Sequence, residues 1–339
     1  MKCLTTGRFL AFLLLVSASP LAFAQTLKIA TIAPEGSSWM NDMKRGAQVI
    51  DTQTQGRVKF KFYGGGVQGN DKQVQRKMRT GQLQGGAFTS GAMNMFQRDA
   101  DLFSMPMVFN SIDEVRYVRQ KMDDVIRERL EAAGYVNFGF AGAGFAYMMS
   151  NKPLQNLAEL QGQKVWIPEG DPTGYAALRA LGVAPVVMPV TDVMTGLQTD
   201  LLDSVTVPPV GAVVFQWHTR LKFITELPIA YVYAAMLIDK QAFSKLSVED
   251  QAITREVMEG IYRKFNQNGV TDNDKALQAL LENGLQMVLP DTANVNEWRS
   301  IVNDSNRALA RAGAFDEALL DRMQALIREY QGGVAASSP

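Results

Sequence analysis

Residues 162–209 read GQKVWIPEGDPTGYAALRALGVAPVVMPVTDVMTGLQTDLLDSVTVPP, and their punctuation decides the fold. Lys164 to Ile167 is a short strand-like run. In the turn that follows, Asp171 stands as a helix N-cap and Pro172 as the first helical residue. Tyr175, Leu178 and Leu181 give that helix an apolar stripe, and Gly182 ends it. A strand around Ala184 to Met188, a helix from Thr191 to Thr199 and a strand from Asp203 to Val207 come next. Strand, helix, strand, helix and strand within about fifty residues predict a right-handed parallel α/β unit. Ligands of open α/β sheets bind beyond the carboxyl ends of the strands. Trp166, Glu169 in the turn beside it, Val207 and Pro208 stand at two such ends and are candidate binding residues.

Working outward, Leu27 to Ala33 predicts a strand, and Pro34 to Ser38 a tight loop opening a helix whose apolar face is Trp39, Met43, Ala47 and Ile50. Ser37 and Trp39 are candidates there, because a helix start offers N–H groups and hydroxyls to a ligand; a plain N-cap is the other reading of Ser37. Val58 to Tyr63 is a strand, Asp71 to Thr80 a helix, and Gln84 to Thr89 a strand. By the carboxyl-end rule Phe88 to Gly91, with Phe88 and Ser90 foremost, line the same crevice. Ser111 to Glu114 forms a capping box before a helix burying Val115, Val118, Met122, Ile126 and Leu130. Two strands follow, Tyr135 to Phe140 and Phe145 to Ser150, and the chain changes domain near residue 150. Lys222 to Glu226 and Tyr231 to Ile238 read as strands, the second returning to the first domain, so that the crossings form a hinge. A long helix from Ser247, bent near Asn268-Gly269, runs to Gly284, and two more helices complete the chain. The expected division is 25–149 plus about 230–260 for lobe I, and 150–229 plus about 261–339 for lobe II.

Lys2 and Arg8, the apolar run Phe9 to Val16 and Ala22-Phe23-Ala24 predict a secretory signal peptide over residues 1–24. Its removal from 339 residues leaves 315, enough for two domains. The sole cysteine, Cys3, goes with it, so neither a disulfide nor a thiolate metal site is expected. Basic residues fall from 34 to 32 against 34 acidic ones, a balance that speaks against nucleic acid as a partner. His218 is the only histidine and has no neighbouring ligand at metal spacing, so it is not read as a metal site. A Gly-x-Ser-x-Gly elbow, a P-loop and a His-Glu-x-x-His pair are all absent from the sequence. The expectation is a binding protein without catalytic residues, metal or cofactor.

The same residues carry a resemblance. Gly162-Gln163-Lys164-Val165-Trp166-Ile167-Pro168, then Ala184-Pro185-Val186-Val187-Met188-Pro189, Asp192, and Gly196-Leu197-Gln198-Thr199-Asp200 with Asp203-Ser204, resemble the second domain of the DctP-type solute-binding proteins of tripartite ATP-independent periplasmic (TRAP) transporters. The likeness extends over nearly the whole mature chain. It implies an α/β, two-lobed periplasmic binding protein fold with hinge strands and long C-terminal helices, a small organic solute held between the lobes, delivery to membrane permease subunits, and a periplasmic location.

At one place this sequence departs from the family pattern. The family's carboxylate-binding arginine is Trp166 here, and the Gly-x-Arg that supplies many members with a second one reads Gly144-Phe145-Ala146-Tyr147. A bidentate arginine gives a carboxylate both charge and geometry. An aromatic face with one N–H does not replace it. Trp166, Phe145, Tyr147, Phe88, Trp39 and Pro208 are therefore expected to line an apolar cleft for a hydrophobic or weakly polar ligand. That resembles the subgroup whose transporters work with a tetratricopeptide-repeat protein. The competing readings are a carboxylate held by another cation, with Lys164 on the same strand face, and an exported enzyme or a sensor on the same fold.

Overall fold

The computed structural model describes residues 24–337, so the expected signal peptide lies outside it except for Ala24. The chain opens with β1 (Gln25–Thr31), α1 (Ser38–Gln53), β2 (Val58–Tyr63), α2 (Asp71–Arg79) and β3 (Gly85–Thr89), with β1 paired in parallel to both β2 and β3. Caps set these helices. Ser37 Oγ accepts from the Met40 amide, and Asn70 with Gln73 forms a reciprocal capping box. After the short α3 (Ser90–Met93) and a 3₁₀ turn, Arg98–Ser104, Ser111 caps α4 (Ile112–Ala132). That helix buries Val115, Val118, Met122, Ile126 and Leu130, as its periodicity predicts.

The strands expected at 135–140 and 145–150 divide differently. Only Tyr135–Val136 is strand (β4), and a single ten-residue strand, β5 (Ala141–Ser150), carries the chain across to the second lobe. There it forms α5 (Leu157–Gln161), β6 (Trp166–Pro168), α6 (Pro172–Ala180), β7 (Val186–Met188), α7 (Val193–Gln198), β8 (Ser204–Val207), α8 (Pro209–Val214) and β9 (Phe223–Thr225). The return strand β10 (Ala230–Asp239) leads to α9 (Lys240–Phe243), α10 (Val248–Glu282), β11 (Gln286–Val288), α11 (Thr292–Arg311) and α12 (Glu317–Ser337). Asp171 caps α6 and Pro172 opens it as expected, but Tyr175 is exposed, and Ala177 and Leu178 make the buried face.

The main sheet runs β11-β9-β5-β10-β3-β1-β2, with β8 added to β5 and β4 to β10. Its two long central strands serve both lobes. The first half of β5 pairs with β10 and the second half with β8 and β9. The expected parallel unit at 162–209 is present: β6 pairs in parallel with β7, Val165 just before β6 bridges in parallel to Ser204 of β8, and β8 pairs antiparallel with β5. Two apolar clusters flank the sheet in the first lobe, and two more fill the second. α12 packs on α4 within a first-lobe cluster, although the sequence reading grouped 261–339 with the second lobe.

α10 spans 35 residues, about 52 Å, and packs on α1 of the first lobe, on β5, and on α8 of the second. The helix runs unbroken through Asn268-Gly269. Gly269 makes room for β5: a Cβ there would lie 2.3 Å from the Gly142 carbonyl oxygen of that strand. Gly269→Ala therefore trades a helix-propensity gain of about 1 kcal/mol for a backbone clash that the helix must move to relieve. We expect a net loss of about 1–2 kcal/mol, seen as a lower melting temperature; an unchanged or raised Tm would contradict this account of the helix–strand approach.

Candidate functional site

A cavity of about 230 Å³ lies between the lobes and continues into the second. Strand ends build its mouth: Thr89, Ser90 and Gly91 where β3 meets α3, Trp166 to Pro168 on β6, and Thr206 to Pro208 at the end of β8. β5 contributes Ala143, Ala146 and Met148. Farther in, Leu154, Leu160, Leu178, Leu181, Trp298 and Val302 form the wall.

Trp166 is 5% exposed. Its Nε1 donates to the Met188 carbonyl at 3.0 Å, across the β6–β7 pair. The ring meets Trp217 edge-on at 5.2 Å, and Phe215 stacks on Trp217 at 5.2 Å. Three aromatic rings thus form one wall, with the Trp166 N–H already engaged. Trp217 and Phe215 are not among the residues that the sequence singles out; in the same stretch His218 makes a structural contact, Nδ1 to the Ala212 carbonyl at 3.0 Å.

Of the ten sequence-derived candidates, Trp166, Ser90, Val207 and Pro208 line the cavity. The other six do not. Ser37 is a plain N-cap. Trp39 stacks on Phe265 of α10 at 5.2 Å, in the cluster on α1 and α10. Phe88 packs on Phe96 at 4.5 Å inside the first lobe. Phe145 turns to Tyr231, and Tyr147 packs among core residues. The cause for this last pair is a bulge: Gly144 pairs with Val232 and Gly142 with Tyr233, which leaves Ala143 as an extra residue. The alternation changes phase there, and Ala146 and Met148 face the cavity instead. Glu169 sits at the rim, where its carboxylate accepts from Asn70 Nδ2 at 3.3 Å and lies 3.9 Å from Lys72 Nζ. It bridges the lobes rather than facing the interior. Burial and the Glu169 charge together raise neighbouring Asp71 to about 6.

Among the described residues that line the cavity there is no Lys, Arg or His, and the one ionisable side chain is Asp171. Lys164 Nζ donates to the Asp200 carbonyl at 2.8 Å on the exposed side. The buried Arg119 is committed elsewhere: Nη2 donates to Asp123 at 2.7 Å and to the Phe140 carbonyl at 3.0 Å, and Nη1 to Tyr231 Oη at 2.8 Å.

Asp171 lies against Gly91 across the gap and accepts from the Gly174 amide at 2.8 Å. The Thr173 hydroxyl is 2.8 Å from Asp171 Oδ1 and 3.0 Å from Oδ2 of Asp101, a buried residue of the first lobe. One hydroxyl hydrogen cannot serve two carboxylates. The chain closes when Asp101 holds a proton and donates it to Thr173, which donates on to Asp171. Burial pushes Asp101 well above the usual carboxylate range, and the Asp171 charge adds to the rise; burial also raises Asp171.

The sequence profile of the bacterial extracellular solute-binding proteins, family 7, matches residues 29–311. The chain belongs to this family. It is 27% identical over 188 residues to the C4-dicarboxylate-binding periplasmic protein of Rhodobacter capsulatus, a match covering 55% of this chain and 56% of that one. It is 22% identical to the sialic acid-binding periplasmic protein of Vibrio cholerae, over 83% of this chain and 88% of that one. The chain thus spans little more than half the length of the first relative and most of the second. The fold superposes on the sugar acid binding protein of Advenella mimigardefordensis, solved in complex with galactonate, with a TM-score of 0.83 at 16% identity, covering 91% of this chain and 99% of that one. In this chain the family-7 fold carries a mouth walled by indoles and by Asp171, with Lys164 and Arg119 engaged elsewhere.

For the raised Asp101 the sign is fixed. The folded protein binds a proton that the unfolded chain releases near 3.8, so stability is fullest below that value and is lost as pH rises through the elevated folded pKa. Asp101→Asn keeps an N–H donor for Thr173 and removes the titration. We expect a smaller loss of melting temperature between about pH 5 and pH 8 than in the wild type; an identical pH profile would show that Asp101 is not the proton carrier.

Proposed function

We propose that the protein is the extracytoplasmic receptor of a TRAP-type secondary transporter, exported by its N-terminal signal peptide to the periplasm. It captures a hydrophobic or weakly polar organic solute between its lobes and hands it to membrane permease subunits. The observation that carries the ligand class is the cavity lining: an indole wall at the β6 end, no cation, and a carboxyl group at the mouth.

A carboxylate solute would lose its charge partner on entering this space. An uncompensated buried charge costs about 3–5 kcal/mol, or two to four decades of affinity at about 1.4 kcal/mol per tenfold. Asp171 would add repulsion. An apolar solute meets no such cost and gains about 25 cal/mol for each Å² it removes from water. The relatives named for C4-dicarboxylate and sialic acid share the family, and on this reading the solute of this chain is of another class. The resemblance to the tetratricopeptide-repeat subgroup rests on this same apolar cleft, so a repeat-protein partner belongs to the same reading. Among the described residues no helix is long and apolar enough to cross a membrane.

Thermal-shift titration of the mature protein checks the ligand class. Aromatic or aliphatic neutral compounds are expected to raise Tm, and succinate, malate and sialic acid to leave it unchanged. Trp166→Arg is expected to weaken the first response and to create a measurable one to succinate. Tight binding of any of the three acids by the wild type would overturn the proposal.

A further inference from the structure

The wall of the cavity comes from two distinct places in the fold. At the mouth, Ser90 and Gly91 of the first lobe face Trp166 and Pro208 of the second. The inner wall is different: Leu154, Leu160, Leu178, Leu181, Trp298 and Val302 all belong to one apolar core cluster of the second lobe, and none is more than 8% exposed. A core of this kind is ordinarily filled to the density of an organic crystal. Here α6 and α11 pack on each other, yet their facing side chains leave room continuous with the interlobe gap. Unfilled core volume destabilises in proportion to its size. Single larger side chains would close it without touching the mouth. A solute confined to the interlobe gap would need none of this inner space.

We infer that the solute carries an elongated hydrocarbon chain that threads past the Trp166–Trp217 wall and ends between α6 and α11, inside the second lobe, with its polar end left at the mouth beside Ser90. The inference rests on the apolar-solute reading and goes beyond it in stating shape, depth and direction. The distribution of polar groups favours this direction. Thr89, Ser90, Asp171 and Thr206 stand at the mouth, and the Ser90 hydroxyl has no partner among the described residues, whereas the inner wall of Leu154, Leu160, Leu178, Leu181, Trp298 and Val302 carries one polar side-chain atom, the buried and unpartnered Trp298 Nε1. A chain suits this cavity better than a compact ring system does, because only an extended molecule reaches from the interlobe mouth to the wall between α6 and α11.

Three of the four tryptophans line the cavity, Trp166 and Trp217 near the mouth and Trp298 at the inner end, so fluorescence reports depth. The probes are straight-chain primary alcohols of increasing length and their counterparts with a terminal bromine, which quenches indole emission on contact. Affinity is expected to rise about fourfold per added methylene until the chain reaches Trp298, and then to level off. The terminal bromine of the longer probes is expected to quench Trp298, and Trp298→Phe to remove that share of the quenching at saturating probe. Leu178→Trp, which fills the inner room, is expected to abolish the gain from lengthening. If this variant fails to fold, the bromine measurement on the wild type and Trp298→Phe still decides. If benzyl alcohol binds but lengthening an alkyl chain brings no gain, or if the bromine quenches equally in Trp298→Phe, the chain inference is overturned and the apolar-solute reading stands. If benzyl alcohol and alcohols of every length fail to bind, both fall.

Discussion

One short strand end governs the chemistry of this protein. At β6, an indole occupies the point where two lobes meet, held by its own N–H to Met188 and by the edge of Trp217. The contact has two consequences. It uses the only polar atom that Trp166 could have offered a ligand, and it ties β6 to the segment after α8, which fixes the aromatic wall. Because the wall is apolar and the cations around it are engaged elsewhere, an anion entering the cavity finds no charge partner among the described residues. Water exclusion, which strengthens an ion pair once formed, here only raises the cost of bringing in one ion alone.

The scaffold keeps this wall in register through long elements that serve both lobes. β5 and β10 cross between them, and α10 lies along both, so close to β5 that only glycine fits at 269. Arg119 contributes at the same place: its guanidinium gathers the Phe140 carbonyl, the Tyr231 hydroxyl and Asn266 of α10 near the start of the crossing strands. Opposite the hinge, the lobes touch through polar contacts, Asn70 and Lys72 to Glu169 and Asp101 to Thr173. Side-chain contacts of this kind, unlike an apolar interface, can part and re-form without exposing a large greasy surface.

Much of this was legible in the residue order, because caps and stops are local. Asp171-Pro172, Ser37, Ser111 and Ser247 start their helices where the sequence places them. The identity of the strand ends at Trp166, Ser90 and Val207-Pro208 followed from the carboxyl-end rule, and these residues do line the cavity. What stayed hidden depends on non-local geometry. A bulge at Ala143 reverses which residues of β5 face inward, and nothing in Gly142-Ala143-Gly144 announces its phase. Trp39 and Phe88 lie near the right strand ends but on helix and strand faces turned to other cores. Trp298 and Leu178 look like ordinary core residues, and they are; that their core leaves room between α6 and α11 is a property of packing which no periodicity encodes.

The most direct test of the central claim is to identify what the protein carries. Protein expressed from the full chain in a bacterial host can be isolated without refolding, and the small molecules released on denaturation identified by mass spectrometry against an empty-vector preparation. The account predicts a compound dominated by hydrocarbon, uncharged or nearly so, at a substantial fraction of one equivalent. A dicarboxylate or sugar acid recovered at that stoichiometry would contradict it.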